Sequence, residues 1–174
     1  MSQYTEDFKK YVFDCIEGLS DVLYIDGYDF RVVFNDTQPP GDMMMYADIL
    51  VGSTYLEATI NVYPSCFSIW SDGNLERLAH ILLHELCHVH TDALYSWARD
   101  DARPSQKDFI VQENENLVER VSRIVSGLLP DRWWDNVALG FNRREYVKVR
   151  EKSKDSSEFA KEQDFFRESS SSRR

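Results

Sequence analysis

The chain has 174 residues, of which 43% are hydrophobic, and its formal net charge at pH 7 is −10. This length and apolar fraction predict a single folded domain with a real core and argue against a wholly disordered chain. The negative charge would repel phosphate backbones, so we expect no nucleic-acid partner; the lack of a cationic leader or a long apolar stretch predicts a protein that is neither exported nor membrane-bound.

The first predicted elements are a helix and a small sheet. Apolar residues recur at three- and four-residue steps over residues 4–19, which predicts an amphipathic helix that ends near Gly18. Runs rich in β-branched and aromatic residues then predict strands at 28–34, 44–51 and 55–63. The gap at residues 52–54 predicts a hairpin between the last two of these strands.

A fourth strand is also predicted, before the first long helix. Residues 66–70 are taken as an edge strand, because Pro64 before them would be awkward inside a central ladder. Residues 75–90 carry apolar side chains in nearly every direction, which predicts a buried helix. The charged stretch 97–107, which contains Pro104, predicts an exposed loop that could flank a site.

The last part of the chain changes composition. A strong helical pattern covers residues 108–129, and residues 131–141 have enough apolar surface to pack back onto the domain. Trp133 and Trp134 in this segment could line a substrate groove, although packing is the commoner use of such residues. We predict an α+β fold with a small antiparallel-rich sheet of three or four strands. One domain covers residues 1–141, and a charged, Ser-rich, partly disordered extension covers residues 142–174.

The cysteines suggest a reducing compartment. Cys15, Cys66 and Cys87 are odd in number and contain no CxxC pair. This usage is typical of free thiols rather than of a disulfide framework or a cysteine-rich metal site, and it predicts a cytoplasmic protein. Cys87 lies between two histidines of interest, and packing is its expected role.

The segment His84-Glu85-Leu86-Cys87-His88 carries the clearest chemical pattern. On a helix its two imidazoles stand one turn apart and about 40° around from each other, so both can reach one metal ion. Two core histidines beside a surface Glu85 would be the alternative. We favour a metal site because burying these three residues on an apolar helix would be costly without a compensating cation.

The other histidines fit this site less well. His80 lies one turn before His84 on nearly the same face, but a His80 and His84 pair lacks an accompanying Glu. His90 points about 200° away from His88 on an ideal helix and is expected at the surface or at a helix end. A catalytic zinc site takes three protein ligands, so a third ligand must come from elsewhere in the chain.

Three glutamates of the next predicted helix are candidates for the third ligand. They are Glu113, Glu115 and Glu119. On a helical wheel Glu115 borders one edge of the apolar arc and Glu113 borders the other. The wheel leaves both open, and either could also be an ordinary solvated glutamate.

The combination of HELCHVHTD with Asn114-Glu115-x-x-x-Glu119 resembles the gluzincin zinc peptidases. This resemblance implies one zinc ion per chain held by His84, His88 and Glu115, with Glu119 orienting a ligand histidine. The run from Glu115 also looks similar in register to the ExxA[N/D]xFA pattern of small cytosolic zinc peptidases that cleave phage and mobile-element repressors.

The resemblance also implies how a substrate would bind. An extended peptide would lie along an edge strand near the zinc, for which residues 66–70 or 55–63 are candidates. Stabilisation of the oxyanion needs a donor beside the polarised carbonyl, and Tyr95, His90 and Arg123 are the candidates.

The predicted reaction is hydrolysis of a peptide bond in a protein or peptide substrate by a zinc-activated water molecule, with Glu85 as the general base. Two alternatives stay open. One is a catalytically silent binding module that the metal stabilises, and the other is a zinc hydrolase acting on a non-peptide amide.

Overall fold

Helices and strands follow one another with short connections. The computed structural model describes residues 4–41, 44–52 and 55–138. The elements in this part are α1 (Glu6–Leu23), β1 (Asp29–Phe34), β2 (Ala47–Gly52), β3 (Glu57–Val62), α2 (Pro64–Ser71), α3 (Leu75–Asp101), α4 (Pro104–Leu128) and α5 (Asp131–Ala138). The fold is therefore α+β, as the sequence predicts. Among the described helices, none has the length and apolar character that crossing a membrane requires. The predicted extension over residues 142–174 lies outside the described residues.

Helix α1 begins at Glu6, two residues after the predicted start, and ends later than predicted. The hydroxyl of Thr5 caps it by accepting a hydrogen bond from the backbone N–H of Phe8 at 3.2 Å. The predicted end at Gly18 is wrong, since the helix continues to Leu23 and stops at Tyr24, which has a left-handed φ of 56°. The last turn is held by the burial of Leu23, which offsets the roughly 1 kcal/mol that a glycine inside a helix costs.

The sheet has three strands in the order β1-β3-β2. Strand β2 pairs antiparallel with β3, which confirms the predicted hairpin, whereas β1 pairs parallel with β3. The prediction of an antiparallel-rich sheet is therefore only half right. Ile60 of β3 is fully buried and faces the helices, and its partner Ile49 lies on the same face. The neighbouring pair, Asp48 of β2 and Asn61 of β3, lies on the outer face of the sheet.

The predicted fourth strand is wrong, because residues 66–70 belong to helix α2. Pro64 occupies the first turn of this helix, where its missing N–H costs nothing and its fixed φ suits the helix. The aromatic side chains of α2 then pack toward α1: the ring centroid of Phe67 lies 5.3 Å from that of Phe8, and that of Trp70 lies 5.7 Å from it. This aromatic packing fixes the segment that connects the sheet to α3.

Helices α3 and α4 are both longer than predicted and form a helical hairpin. Asn74 caps α3 by accepting a hydrogen bond from the N–H of Arg77 at 3.3 Å. The predicted loop over residues 97–107 is wrong, since the chain leaves the helical conformation only at Ala102 and Arg103. Pro104 then starts α4 as a first-turn proline. Charged residues here cover the exposed surface of two helices rather than a loop.

The three cysteines lie on three different helices of the core. Cys15 of α1, Cys66 of α2 and Cys87 of α3 are free thiols with no solvent exposure. Burial raises the pKa of each thiol, to about 12 for Cys66 and about 11 for Cys87. Their position fits the packing role expected for Cys87.

Candidate metal centre

Helix α3 is packed in the core and carries two histidines, His84 and His88, on one side. Leu82, Leu83 and Leu86 are fully buried, which fixes the rotation of the helix around its own axis. His84 and His88 then face α4, and their ring centroids lie 5.3 Å apart. Their spacing of four residues therefore places both imidazoles on one side of the helix.

Glu115 of α4 meets both histidines. Its Oε2 lies 3.5 Å from Nε2 of His84, and its Oε1 lies 3.7 Å from Nε2 of His88. The ligand atoms of all three residues lie within 4.8 Å of one another. His84, His88 and Glu115 therefore form a group that could hold a metal ion.

The three residues supply the ligand types that zinc prefers. Each oxygen of Glu115 lies near a different histidine, so the carboxylate stands opposite both imidazoles. Two imidazoles and one carboxylate are also the ligand types of a catalytic zinc site with one open position. Burial lowers the pKa of His88, which favours the neutral imidazole that metal binding needs.

The remaining nitrogen of His84 is held by Glu119. Oε2 of Glu119 accepts a hydrogen bond from Nδ1 of His84 at 3.2 Å, which leaves Nε2 unprotonated toward Glu115. Arg123 donates through Nε to Oε1 of the same carboxylate at 2.6 Å. Burial alone would raise the pKa of Glu119, but the interactions with Arg123 and His84 outweigh this effect and lower it.

The remaining nitrogen of His88 faces Asn114. Nδ2 of Asn114 lies 3.3 Å from Nδ1 of His88. A half-turn of the amide keeps its shape and brings the oxygen to the same place, where it accepts the proton of Nδ1. Each histidine thus has a polar neighbour on α4 that orients its ring. Glu119, four residues after Glu115, contacts His84, and Asn114, one residue before Glu115, contacts His88.

Glu85 lies between the metal group and the sheet. Burial raises its pKa to about 8, and the nearby carboxylates of Glu115 and Asp48 contribute to the rise. The carboxylate of Glu85 in turn contributes to the raised pKa of Tyr63. Glu85 is half-buried and interacts electrostatically with Glu115 of the metal group and with Asp48 of β2.

Asp48 and Tyr63 are candidate site residues that the sequence did not reveal. The hydroxyl of Tyr63 donates to Oδ2 of Asp48 at 2.5 Å, and Nδ2 of Asn61 donates to Oδ1 at 2.7 Å. The hydrogen bond to Asp48 is the main reason that the pKa of Tyr63 rises to about 12. The pairing of β2 with β3 brings Asp48 and Tyr63 together, and the sequence does not reveal this pairing. The only signal in the sequence was Asp48 itself, an acidic residue among apolar ones in a predicted strand.

Other predicted candidates lie elsewhere. Glu113 is exposed and accepts a hydrogen bond from Asn116, away from the metal group. The ring of His80 stacks on that of Trp134, with centroids 4.6 Å apart. His90 is exposed but lies inside α3 rather than at a helix end, and its Nε2 lies 3.0 Å from the carbonyl oxygen of Leu23 at the end of α1.

The remaining candidates for the oxyanion donor and for the substrate groove are also placed. Tyr95 lies two turns beyond His88 on α3, and its ring contacts the guanidinium of Arg99. Arg123 is bound to Glu119, as described above. Trp133 is buried, which fits packing rather than a groove.

The predicted substrate strands need correction. Residues 66–70 are helical, and β3, which contains most of residues 55–63, is the central strand with partners on both sides. Among the described strands, β1 and β2 are the edges, and β2 is the edge that packs against α3.

Comparisons of the chain with protein-family models, with curated proteins and with solved structures found no match.

Proposed function

We propose that this chain is a zinc-dependent peptidase that hydrolyses a peptide bond with Glu85 as its general base. The observation that carries the proposal is the convergence of His84, His88 and Glu115 from two helices, with Glu85 next to the first histidine. The resemblance of the sequence to gluzincins also supports a zinc-dependent peptidase.

The second layer of contacts supports a metal site rather than a chance meeting of side chains. Each imidazole has a partner from α4 at its Nδ1 atom, and both Nε2 atoms face the carboxylate of Glu115. Such contacts on both nitrogens of both rings are typical of histidines that bind a metal ion. The hydrogen bond from Nδ1 of His84 to Glu119 fixes the tautomer that ligation through Nε2 requires, and Asn114 orients the ring of His88. A zinc ion bound here would supply Lewis acidity to a carbonyl oxygen and to a water molecule.

The protein's own residues would perform the proton transfers. A zinc ion held beside Glu85 would oppose the rise in its pKa and favour the carboxylate form, which can take a proton from water and later give it to a leaving amine.

Strand β2 is the natural place for an extended peptide. A substrate added to its free edge would gain backbone hydrogen bonds and pass beside Glu85. The net charge of −10 and the carboxylates of the site favour peptides that are not acidic.

The test combines metal content with activity. We expect about one zinc ion per wild-type chain and cleavage of a broad peptide library; Glu85→Gln should keep the zinc and lose cleavage, whereas His88→Ala and Glu115→Ala should lose both. His80→Ala is the matched control, because this histidine lies on α3 outside the metal group, and it should keep its zinc.

Two results would contradict the proposal. A zinc-loaded wild-type chain that cleaves no peptide in the library would indicate a metal-stabilised binding module instead. Equal cleavage by wild type and Glu85→Gln would remove Glu85 from the role of general base.

A further inference from the structure

Strand β2 exposes one edge and one face at the same place. β3 covers one side of β2, and within the described ranges no strand pairs with its other side. Side chains alternate along a strand, so Asp48 and Leu50 point to the outer face, opposite Asn61 and Thr59 of β3. A peptide added to the free edge of β2 would place every second side chain on this same outer face.

Asp48 has unused capacity to bind a cation. A carboxylate can accept about four hydrogen bonds, and the contacts described for Asp48 come from two neutral donors, Asn61 and Tyr63. These bonds hold the carboxylate in place, and the ion pairs found among the described residues do not include it. Its orientation is therefore set in advance by neutral groups, which leaves its charge uncompensated.

The carboxylate of Asp48 would attract a cation and repel an acid. Its described hydrogen bonds come from an amide and a hydroxyl rather than from a basic side chain. A lysine or arginine placed beside it on an added strand would therefore be attracted, and a carboxylate there would be repelled. Two residues along the same face, Leu50 is 66% exposed and would contact an apolar side chain of the peptide.

From this geometry we infer that Asp48 selects substrates with a lysine or arginine side chain on the residue that pairs beside it along β2. The inference rests on the proposed peptidase function, because it concerns the substrate of that function. Binding of the peptide beside Asp48 does not itself require catalysis. Leu50 adds a preference for an apolar residue two positions away. Asp48 is thus a specificity-determining residue for cationic peptides.

The experiment measures binding without turnover. Fluorescein-labelled ten-residue peptides of Val and Thr, each with one Arg, Gln or Glu at a scanned position, are titrated with zinc-loaded Glu85→Gln protein by fluorescence anisotropy. We expect one position at which Arg binds roughly fivefold more tightly than Gln, the upper range for opposite charges paired across strands. Glu at that position should bind more weakly than Gln.

Variants identify the residue responsible. Adding Asp48→Asn should abolish the preference for Arg, and Asp48→Lys should reverse it in favour of Glu. Asp29→Asn is the matched control, because Asp29 is an exposed acid on β1 at the opposite edge of the sheet, and it should leave the preference unchanged. Zinc content and thermal unfolding of each variant check that the fold is retained.

The outcomes separate this inference from the peptidase proposal. No Arg preference at any position, or a preference that persists in a folded Asp48→Asn variant, overturns the inference. Digestion of the same peptides by wild-type protein then tests catalysis separately. Cleavage without a basic preference supports the peptidase and overturns the role of Asp48, whereas an Arg preference without cleavage supports the role of Asp48 and contradicts the peptidase.

Discussion

The contact between Glu119 and His84 gives a sharp quantitative prediction about metal affinity. Removing a group that orients a metal-binding histidine typically weakens metal binding about 10- to 100-fold, or roughly 1.4 to 2.7 kcal/mol. The side chain of Glu119 is 46% exposed, so water would replace part of its effect. We therefore expect Glu119→Ala to weaken zinc binding about tenfold, the lower end of this range.

The assay is competition for zinc against a chromophoric chelator at fixed pH and ionic strength. Glu113→Ala is the control, because Glu113 lies on the same helix with a similar charge but contacts Asn116 instead of the histidines. Arg123→Gln should have a smaller effect, of about twofold, because Arg123 acts only through Glu119. Equal zinc affinities for Glu119→Ala and Glu113→Ala would refute the argument that Glu119 positions His84.

Three further predictions concern stability. Leu82→Ala should lower the free energy of unfolding by about 2 to 5 kcal/mol, because Leu82 is fully buried; urea unfolding followed by circular dichroism measures this, and a loss under 1 kcal/mol would contradict it. Thr5→Ala should cost about 1 kcal/mol in the same assay, since it removes the cap on α1, and Thr5→Ser should restore most of the loss. The raised pKa of Tyr63 stabilises the folded state fully below about pH 10, the pKa of an unfolded tyrosine, and this contribution is lost as the pH rises through about 12. Between these values wild type should therefore lose more stability than Tyr63→Phe in matched urea titrations, and parallel curves would show that Tyr63 is not perturbed.

The elements with a strong periodic pattern were predictable from the sequence. The buried helix around His84 and the hairpin of β2 and β3 carry their own local signals. Helix α2 does not, because its short run of aromatic and β-branched residues also suits a strand, and Pro64 is acceptable both at a strand edge and at a helix start. Only its packing against Phe8 favours the helix.

The long helical hairpin was missed for a related reason. Residues 97–107 are charged, and charge alone does not distinguish an exposed helix surface from a loop. The pairing of α3 with α4 along their length keeps both segments helical up to Ala102. Local sequence contains no information about this long-range contact.

Some residues of the candidate site were predictable from the sequence and others were not. His84, Glu85 and His88 follow from spacing on one helix, and the choice of Glu115 over Glu113 needed the resemblance to a family. Asp48 and Tyr63 were missed because they are 15 residues apart in sequence and meet only through the sheet register.

The three buried thiols can be used to measure local unfolding of this protein without added probes. A thiol reagent can reach a cysteine only when the surrounding structure opens, so its labelling rate measures the free energy of that opening. Cys15, Cys66 and Cys87 lie on α1, α2 and α3, and each therefore monitors a different helix. Labelling followed by peptide mass spectrometry, with and without zinc, would show which helix a bound ion protects, and Cys87, between the two histidines, should gain the most protection.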